Sequence, residues 1–304
     1  MNRQTAMNNV FFDELHALSD SINACLSSLD LLEYSDTPDD QVIEAEAYAL
    51  SAGGKRIRPA LCLAFYKLFG GTDDVTEIAC CLELMHTFSL IHDDMPEMDN
   101  DDFRRGKPCV HKAFGVDIAL LAGDGLAILP FEVISRSALN GKISYKTASK
   151  LIHLISSSAG NKGMIAGQML DIYSEDKDID DEFLIRMSLL KTGKLLEASC
   201  LFGAVLADAD EQMLFDAKTY AQNIGLAFQM IDDVLDVTSD EKTLGKPIGS
   251  DKERNKKTFV DVYGIEGTFE KSRELTEKAV SCIEKYDGSE FLIELARYLT
   301  ERKA

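Results

Sequence analysis

Apolar residues recur at helical spacing through most of this chain, and that periodicity constrains the fold more than any other feature. Ile78, Leu82 and Met85, for example, fall on one side of a helical pattern, with Ala79 and Leu84 beside them. A period near 3.6 residues indicates amphipathic helices, whereas the alternating runs typical of strands are scarce. The sequence therefore predicts an all-α fold.

The predicted helices cover most of the chain, and several exceed twenty residues. Their intervals are 9–30, 39–51, 59–69, 74–94, 117–138, 144–159, 161–172, 181–207, 210–238, 266–285 and 289–302. The proline and glycine breaks between them are too short to serve as interdomain linkers. We therefore expect a single domain over residues 1–304.

The charge balance disfavours two classes of partner. The chain has 52 acidic against 32 basic residues, a net charge of −20, which would repel a nucleic-acid backbone or an anionic membrane surface. The first twenty residues lack a signal-peptide pattern, and Asp124 and Glu197 interrupt the longest apolar stretches. We expect a cytoplasmic protein with no nucleic-acid partner and no membrane span.

The seven cysteines lack CxxC spacing, so neither disulfides nor zinc is implied.

Residues 93–102 carry six acids within ten positions, at the end of an apolar helix. Such crowding is unfavourable unless cations neutralise it, and oxygen ligands suit Mg²⁺. A solvated acidic loop is the alternative, and this segment alone does not decide between the two. The chain then changes sign at Arg104, Arg105 and Lys107. Phosphate held between a metal and arginine needs both signs, which favours a phosphate site.

A second acidic cluster lies within the predicted helix 210–238. Gln229, Asp232, Asp233 and Asp236 recur at three- and four-residue spacing, so they share one face. One turn separates Asp232 from Asp236, and both carboxylates can address one ion or its waters. The basic, glycine-interrupted segment after residue 244 is predicted to be a lid that neutralises phosphate, or else an ordinary polar loop.

Four motifs together resemble the trans-prenyl diphosphate synthases, and among them the bacterial farnesyl diphosphate synthases. They are Gly53-Gly54-Lys55-Arg56-Ile57-Arg58-Pro59, the block from Asp93 to Lys107, Lys191-Thr192-Gly193, and the stretch from Asp232 to Asp236. Their order and spacing match over residues 40 to 260. The resemblance implies the isoprenoid-synthase helix bundle around a deep central pocket, in a homodimer. It also implies head-to-tail condensation of isopentenyl diphosphate with dimethylallyl or geranyl diphosphate.

The resemblance also assigns roles to individual residues. It implies about three Mg²⁺ ions per site, bound by Asp93, Asp99 and Asp232 and supported by Asp94, Asp233 and Asp236. The cations that stabilise the departing pyrophosphate would be Arg104, Lys191, Lys256 and Lys246. An allylic carbocation would be steadied by Thr192, Gln229 and the Lys191 carbonyl, with no protein nucleophile. The isopentenyl diphosphate would be bound by Lys55, Arg58, Arg105 and His86, although a lone histidine is more often a core residue.

Phe88 is the candidate for setting product length. It precedes Asp93 by five residues, more than one helical turn deeper in the expected pocket wall. In this family a bulky residue there limits growth, and the two extra residues between Asp94 and Asp99 resemble C15 enzymes, which favours (2E,6E)-farnesyl diphosphate. Phe88 could instead be packing only, leaving Ser89 beside a channel for a geranylgeranyl product. Two further functions compete with these, namely a non-catalytic regulatory subunit and a terpene cyclase.

Overall fold

The structure is a computed structural model that describes residues 3–35, 37–238 and 256–300. Helices dominate these ranges. They are α1 Arg3–Ser27, α2 Gln41–Leu50, α3 Ile57–Leu68, α4 Thr76–Asp93, α5 Val110–Phe114, α6 Val116–Leu139, α7 Tyr145–Ala159, α8 Met164–Ser174, α9 Asp181–Ser188, α10 Lys194–Leu206, α11 Glu211–Thr238, α12 Phe259–Ile283 and α13 Glu290–Thr300. A π-helical turn spans Leu189–Gly193, and a two-stranded hairpin joins β1 Phe103–Arg104 to β2 Lys107–Pro108.

The all-α prediction is confirmed, with three local differences. The predicted helix 181–207 is divided into α9 and α10 by the π turn. Helix α12 begins at Phe259 rather than 266, because Thr258 and Asp261 form a reciprocal capping box at its start. Gly264, at φ 68°, bends its first turns and breaks the apolar period. Finally, α5 and the hairpin are too short to produce a periodic signal.

The chain forms two compact units. The N-terminal unit comprises Leu15–Leu63 and Asp73–Ile152, and the C-terminal unit comprises Met1–Glu14, Ala64–Thr72 and His153–Ala304. The first acidic cluster belongs to the N-terminal unit and the second to the C-terminal unit. A single domain over residues 1–304 stays a prediction.

In the N-terminal unit, α4 packs against α6 through small residues. Ala119, Ala122 and Gly123 are buried on α6, and a Cβ at Gly123 would collide with the His92 imidazole of α4. A buried ion pair fixes the start of α3, since the Arg56 guanidinium lies 2.6 Å from the Glu83 carboxylate. Breaking such a pair typically costs about 3–5 kcal/mol. These contacts hold α4, whose last residue is Asp93, in place.

In the C-terminal unit, the core is built on α11. Tyr220 is fully buried, donates to the Leu292 carbonyl at 2.8 Å and meets Phe65 edge to face at 5.3 Å. Further along α11, Met230 packs in a cluster that contains Leu184 and Phe259. The polar face of the same helix carries the second acidic cluster.

Glu46 is a buried carboxyl group in α2, 5% exposed. A Cβ at Gly125 of α6 would collide with its carboxylate, so Gly125 makes room for Glu46. Burial raises the pKa of Glu46 from 4.5 to about 7. The folded protein therefore keeps a proton that the unfolded chain releases, and its stability falls as pH rises from about 4.5 through about 7.

Glu46→Gln removes this charge and should remove its pH dependence. Between pH 5 and pH 8 the variant should gain up to about 3 kcal/mol in unfolding free energy relative to the parent chain. Urea unfolding at both pH values measures the difference. Glu44→Gln, at an exposed position of the same helix, is the matched control and should leave it unchanged. Equal pH profiles for Glu46→Gln and the parent would contradict the prediction.

Helix α6 also has an exposed apolar side. The exposed residues are Val116, Leu120, Leu121, Ile128 and Leu139. Among the described residues, α6 alone has the length and apolar composition to cross a membrane, a test that the core helices of soluble proteins also pass. The absence of a membrane span therefore stays a prediction.

Candidate active site

The first acidic cluster forms a closed loop at the end of α4. Asp94 caps the helix, its N–H donating to the Leu90 carbonyl at 3.1 Å. The chain then turns back at Asn100, where φ is 53°, and the Asp99 N–H donates to the Asp93 carbonyl at 2.9 Å. The backbone bond thus brings together two residues that are six positions apart. Asp93 and Asp99, the predicted magnesium ligands, are neighbours in this loop and are both half-buried.

The hairpin that follows this loop carries the basic residues Arg104, Arg105 and Lys107. Its two turn residues, Arg105 and Gly106, have φ values of 52° and 77°, the conformation of a type I′ turn. Tyr48 of α2 anchors the hairpin by donating to the Pro108 carbonyl at 2.8 Å. Lys107 lies against the same helix, 3.3 Å from the Ser51 hydroxyl.

Arg104 is held by the acidic cluster itself. Its Nε lies 2.7 and 2.8 Å from the two carboxylate oxygens of Asp94, and its Nη2 lies 3.5 Å from Asp101. Burial opposes the charge of Arg104, but the hydrogen bonds and charge of Asp94 outweigh it and raise the pKa of the guanidinium. Burial, followed by the neighbouring charge of Asp94, raises the pKa of the Cys109 thiol to about 12. Asp94 therefore orients Arg104, and its supporting role at a metal stays a prediction.

Three residues predicted to bind isopentenyl diphosphate lie within electrostatic range of one another. Burial, followed by the positive charges of Arg58, Arg105 and Arg104, lowers the pKa of His86 well below its ordinary value. His86 is therefore neutral at pH 7 and can donate one hydrogen bond without adding charge. The Arg105 guanidinium lies on the backbone of Gly53 and Gly54, where a Cβ on Gly54 would collide with it.

Lys55 and Phe88 are the other predicted site residues of this unit. Lys55 is exposed in the loop before α3. Phe88 is half-buried on α4 and meets the His92 ring edge to face, with 5.0 Å between ring centroids. The His92 Nε2 lies 3.2 Å from the Leu120 carbonyl of α6. Phe88 is therefore held in place through its contact with His92.

In the C-terminal unit, the π turn presents Lys191 and Thr192. It is bordered by two glycines, since a Cβ on Gly167 of α8 would collide with the Lys191 backbone, and one on Gly225 of α11 would lie 2.9 Å from the Gly193 Cα. The two helices approach the turn closely only because these positions lack side chains. Such one-turn π segments are frequent at functional sites.

Asp171 binds Lys191 and Lys256, the two predicted cations of this unit that lie within the described residues. Its Oδ2 accepts from Lys191 Nζ at 2.6 Å and from Lys256 Nζ at 2.8 Å. Lys256 also lies 3.5 Å from the Glu175 carboxylate. Burial tends to raise the pKa of Asp171, but the two lysines outweigh it and lower the pKa. The chain thus places two ammonium groups side by side on a single buried carboxylate.

A chain of hydrogen bonds links the π turn to the second acidic cluster. The Thr192 hydroxyl donates to the Gln229 amide oxygen at 3.1 Å, and the Gln229 amide nitrogen donates to Asp233 at 2.9 Å. The other Asp233 oxygen accepts the Phe259 N–H at 2.8 Å, at the start of α12. A carboxylate is favourable at a helix N-terminus. Asp233 thus positions Gln229, and its supporting role at a metal stays a prediction.

The donor set of both clusters fits Mg²⁺. Among the residues described, no three acidic, histidine or cysteine side chains converge as a ready metal cage. Mg²⁺ usually keeps several waters and is bound through one or two carboxylates plus substrate phosphates. Asp93 and Asp99, joined through the backbone, and Asp232, half-buried on α11, provide carboxylates in that manner. Asp236 is buried one turn after Asp232 on α11.

One residue of this site was missed by the sequence prediction, and another lies outside the described ranges. The sequence prediction gave Asp171 no role, although a single acidic residue within the apolar stretch of α8 is typical of a functional group. Lys246, with the segment predicted to be a lid, lies outside the described residues.

With this geometry established, comparison with known proteins gives the class of protein. The polyprenyl synthetase family model matches residues 39–291, and the chain belongs to that family. It is a short-chain trans-prenyltransferase with the all-α isoprenoid-synthase fold, and members of the family use Mg²⁺.

The chain is also similar to individual proteins of known name. The chain is 45% identical to a geranylgeranyl diphosphate synthase from Cyanophora paradoxa, covering 86% of this chain and 87% of that protein. It is 43% identical to a farnesyl diphosphate synthase from Geobacillus stearothermophilus, covering 75% and 77%. A geranyltransferase from Helicobacter pylori, solved with magnesium and isoprenyl diphosphate, has a TM-score of 0.83 at 31% identity and covers 97% of each chain.

Proposed function

We propose that this chain is a farnesyl diphosphate synthase. It condenses isopentenyl diphosphate first with dimethylallyl diphosphate and then with geranyl diphosphate, in the cytoplasm. The observation that carries the C15 product is Phe88, a bulky side chain on α4 held against His92 one turn before the metal-binding loop. The presence of both acidic clusters and of the basic motif around Lys55 and Arg58 favours a synthase over a regulatory subunit or a cyclase.

In this proposal the C-terminal unit assists ionisation of the allylic substrate. Lys191 and Lys256, already paired on Asp171, donate to the diphosphate as its C–O bond breaks, with Arg104 contributing and Lys246 assisting. Mg²⁺ held by the predicted ligands Asp93, Asp99 and Asp232 would stabilise the charge that develops on the leaving pyrophosphate. Gln229 and Thr192, oriented by Asp233, present their dipoles to the allylic carbocation.

The N-terminal unit orients the second substrate. Arg58 and Arg105 supply charge for the isopentenyl diphosphate, Lys55 adds a flexible ammonium group, and neutral His86 donates a hydrogen bond. Holding the double bond in position for attack converts an encounter of two substrates into an ordered step. No protein base is assigned, because the departing pyrophosphate accepts the proton lost in the final elimination.

A homodimer is part of this proposal. The exposed apolar residues of α6, among them Ile128 at 66% and Leu121 at 53% exposure, support a second copy of the chain as its partner, since several large exposed apolar side chains on one helix favour a protein interface. Light scattering on the purified chain should give twice the monomer mass. A monomer at micromolar concentration would remove this part of the proposal.

The experiment that tests the function uses purified protein, isopentenyl diphosphate and either allylic substrate. Products are hydrolysed and identified by chain length, with and without Mg²⁺. Farnesyl diphosphate formed only with Mg²⁺ is the expected result. The absence of any condensation would overturn the proposal, and ionisation of the allylic substrate without condensation would indicate a cyclase.

Geranylgeranyl diphosphate synthase is the second candidate. It is favoured by the names of several relatives at 40–45% identity and by small Ser89 beside Phe88. Phe88→Ala separates the candidates, because loss of the ring should lengthen the dominant product from C15 to C20 or beyond. Phe88→Tyr keeps the ring and should retain C15. An unchanged product from Phe88→Ala would assign Phe88 to packing alone.

A further inference from the structure

The N-terminal unit contains a cluster of four cysteines that the proposed reaction does not use. Cys25 lies on α1, Cys62 on α3, and Cys80 and Cys81 on α4. All are free thiols, and only Cys25 is partly exposed. They are close enough that the charge on one would raise the pKa of its neighbours.

Within this cluster, the Cys80 side chain lies against α1, next to the turn that carries Cys25. The Cys80 sulfur lies 3.9 Å from the Ile22 carbonyl, one turn before Cys25 on the same helix. The Cys25 and Cys80 thiols are also close enough for each to shift the pKa of the other. Cys81, the next residue, directs its sulfur elsewhere, to the Pro130 carbonyl of α6 at 3.7 Å. Cys80 is therefore the partner of Cys25.

We propose that Cys25 and Cys80 form a reversible disulfide when the protein meets a peroxide, with Cys25 as the attacking thiol and Cys80 as the resolving one. The residues are 55 positions apart in the sequence and do not form a CxxC motif, so only the packing of α1 on α4 reveals the pair.

The surroundings of the two thiols assign these roles. Interaction with the Cys80 thiol lowers the pKa of Cys25 and outweighs burial and the charges of Glu77 and Asp74. The same contact, followed by burial, raises the pKa of Cys80. Cys62 and Cys81 are fully buried, and burial raises their pKa values too. Since the thiolate is the nucleophile, the half-exposed Cys25 is the reactive member.

The chemistry balances with hydrogen peroxide as the oxidant. The Cys25 thiolate attacks one peroxide oxygen, the O–O bond breaks, and Cys25 becomes a sulfenic acid while hydroxide leaves and takes a proton. The Cys80 sulfur then attacks the Cys25 sulfur, the S–O bond breaks and water departs. Two thiols are oxidised and one peroxide is reduced to two waters. A thiol reductant reverses the bond.

The consequence concerns α4, whose last residue is Asp93. A disulfide between Cys25 and Cys80 would tie the second turn of that helix covalently to α1. Oxidation of a surface-accessible thiol would thereby act on the element that positions the predicted metal ligands.

The test treats the full-length protein with a small excess of hydrogen peroxide and follows intact mass and non-reducing peptide maps. The expected result is loss of two hydrogens, a peptide linking Cys25 to Cys80, and reversal by dithiothreitol. Cys25→Ser should abolish the linkage. Cys80→Ser should leave a Cys25 sulfenic acid that dimedone traps.

Cys282→Ser is the matched control, because Cys282 is also half-buried but lies on α12 of the C-terminal unit. This variant should form the Cys25–Cys80 bond as the parent does. A parent protein in which Cys25 stays reduced, or is linked to a cysteine other than Cys80, would overturn the proposal. Circular dichroism of each variant establishes that it is folded.

Discussion

Replacing Asp93 with asparagine should lower kcat/KM by roughly 10³-fold, because metal ions supply several kcal/mol of transition-state stabilisation and this change removes a ligand charge. Asparagine keeps the side-chain size, and the backbone bond from Asp99 to the Asp93 carbonyl does not depend on the side chain. The loop should therefore keep its shape. Steady-state condensation assays over a range of Mg²⁺ concentrations measure the loss and an accompanying rise in the Mg²⁺ requirement.

Asp102→Asn is the matched control for Asp93→Asn. Asp102 lies in the same acidic run but is 64% exposed and pairs with Lys112 at 2.7 Å. Exposed pairs contribute little, so this variant should stay within about threefold of the parent activity. If both variants lost activity equally, the acidic run would act through its overall charge, and the assignment of Asp93 as a ligand would be wrong.

Asp171→Asn should give the second large effect, a loss of roughly 10²-fold in kcat, comparable to the removal of one electrostatic contact in an active site. The change leaves Lys191 and Lys256 without the carboxylate that now orients both ammonium groups. Because the lysines are needed as the leaving-group charge develops, kcat should fall more than KM rises. Initial-rate kinetics with geranyl diphosphate separate the two parameters.

The control for Asp171→Asn is Asp178→Asn. Asp178 also pairs with a lysine, Lys257 at 3.3 Å, but its side chain is 97% exposed. The activity of this variant should match that of the parent. A rise in KM alone for Asp171→Asn, with kcat preserved, would show that Asp171 serves substrate binding rather than ionisation. Circular dichroism of Asp171→Asn guards against misfolding, since Asp171 is buried.

Much of the fold followed from periodicity. The interval 210–238 predicted α11 to within one residue, and 74–94 predicted α4 to within two, because both helices bury long apolar faces. Spacing alone placed the carboxylates of α11 on one face, because residues three or four positions apart on a helix lie on the same face.

Other features depend on tertiary contacts that no local pattern encodes. Asp171 and Lys256 are 85 positions apart, and their pairing arises only from folding. The π turn was read as ordinary helix because its residues are all compatible with one; close packing by Gly167 and Gly225 selects the wider turn. The positive charges of Arg104 and Arg105 were evident from the sequence. Their partners, Asp94 and the Gly53 backbone, emerged only from the structure.

The π turn at Leu189–Gly193 has a consequence for how this chain tolerates changes in length. It adds one residue to a helical path, and one residue rotates everything that follows by about 100°. Because of that rotation, α9 and α10 can each turn apolar residues inward while Lys191 and Thr192 project at the junction. Deleting a single residue here would leave a regular helix in which Lys191 and Thr192 point in a different direction. The function of this segment therefore depends on how many residues it contains as much as on their types.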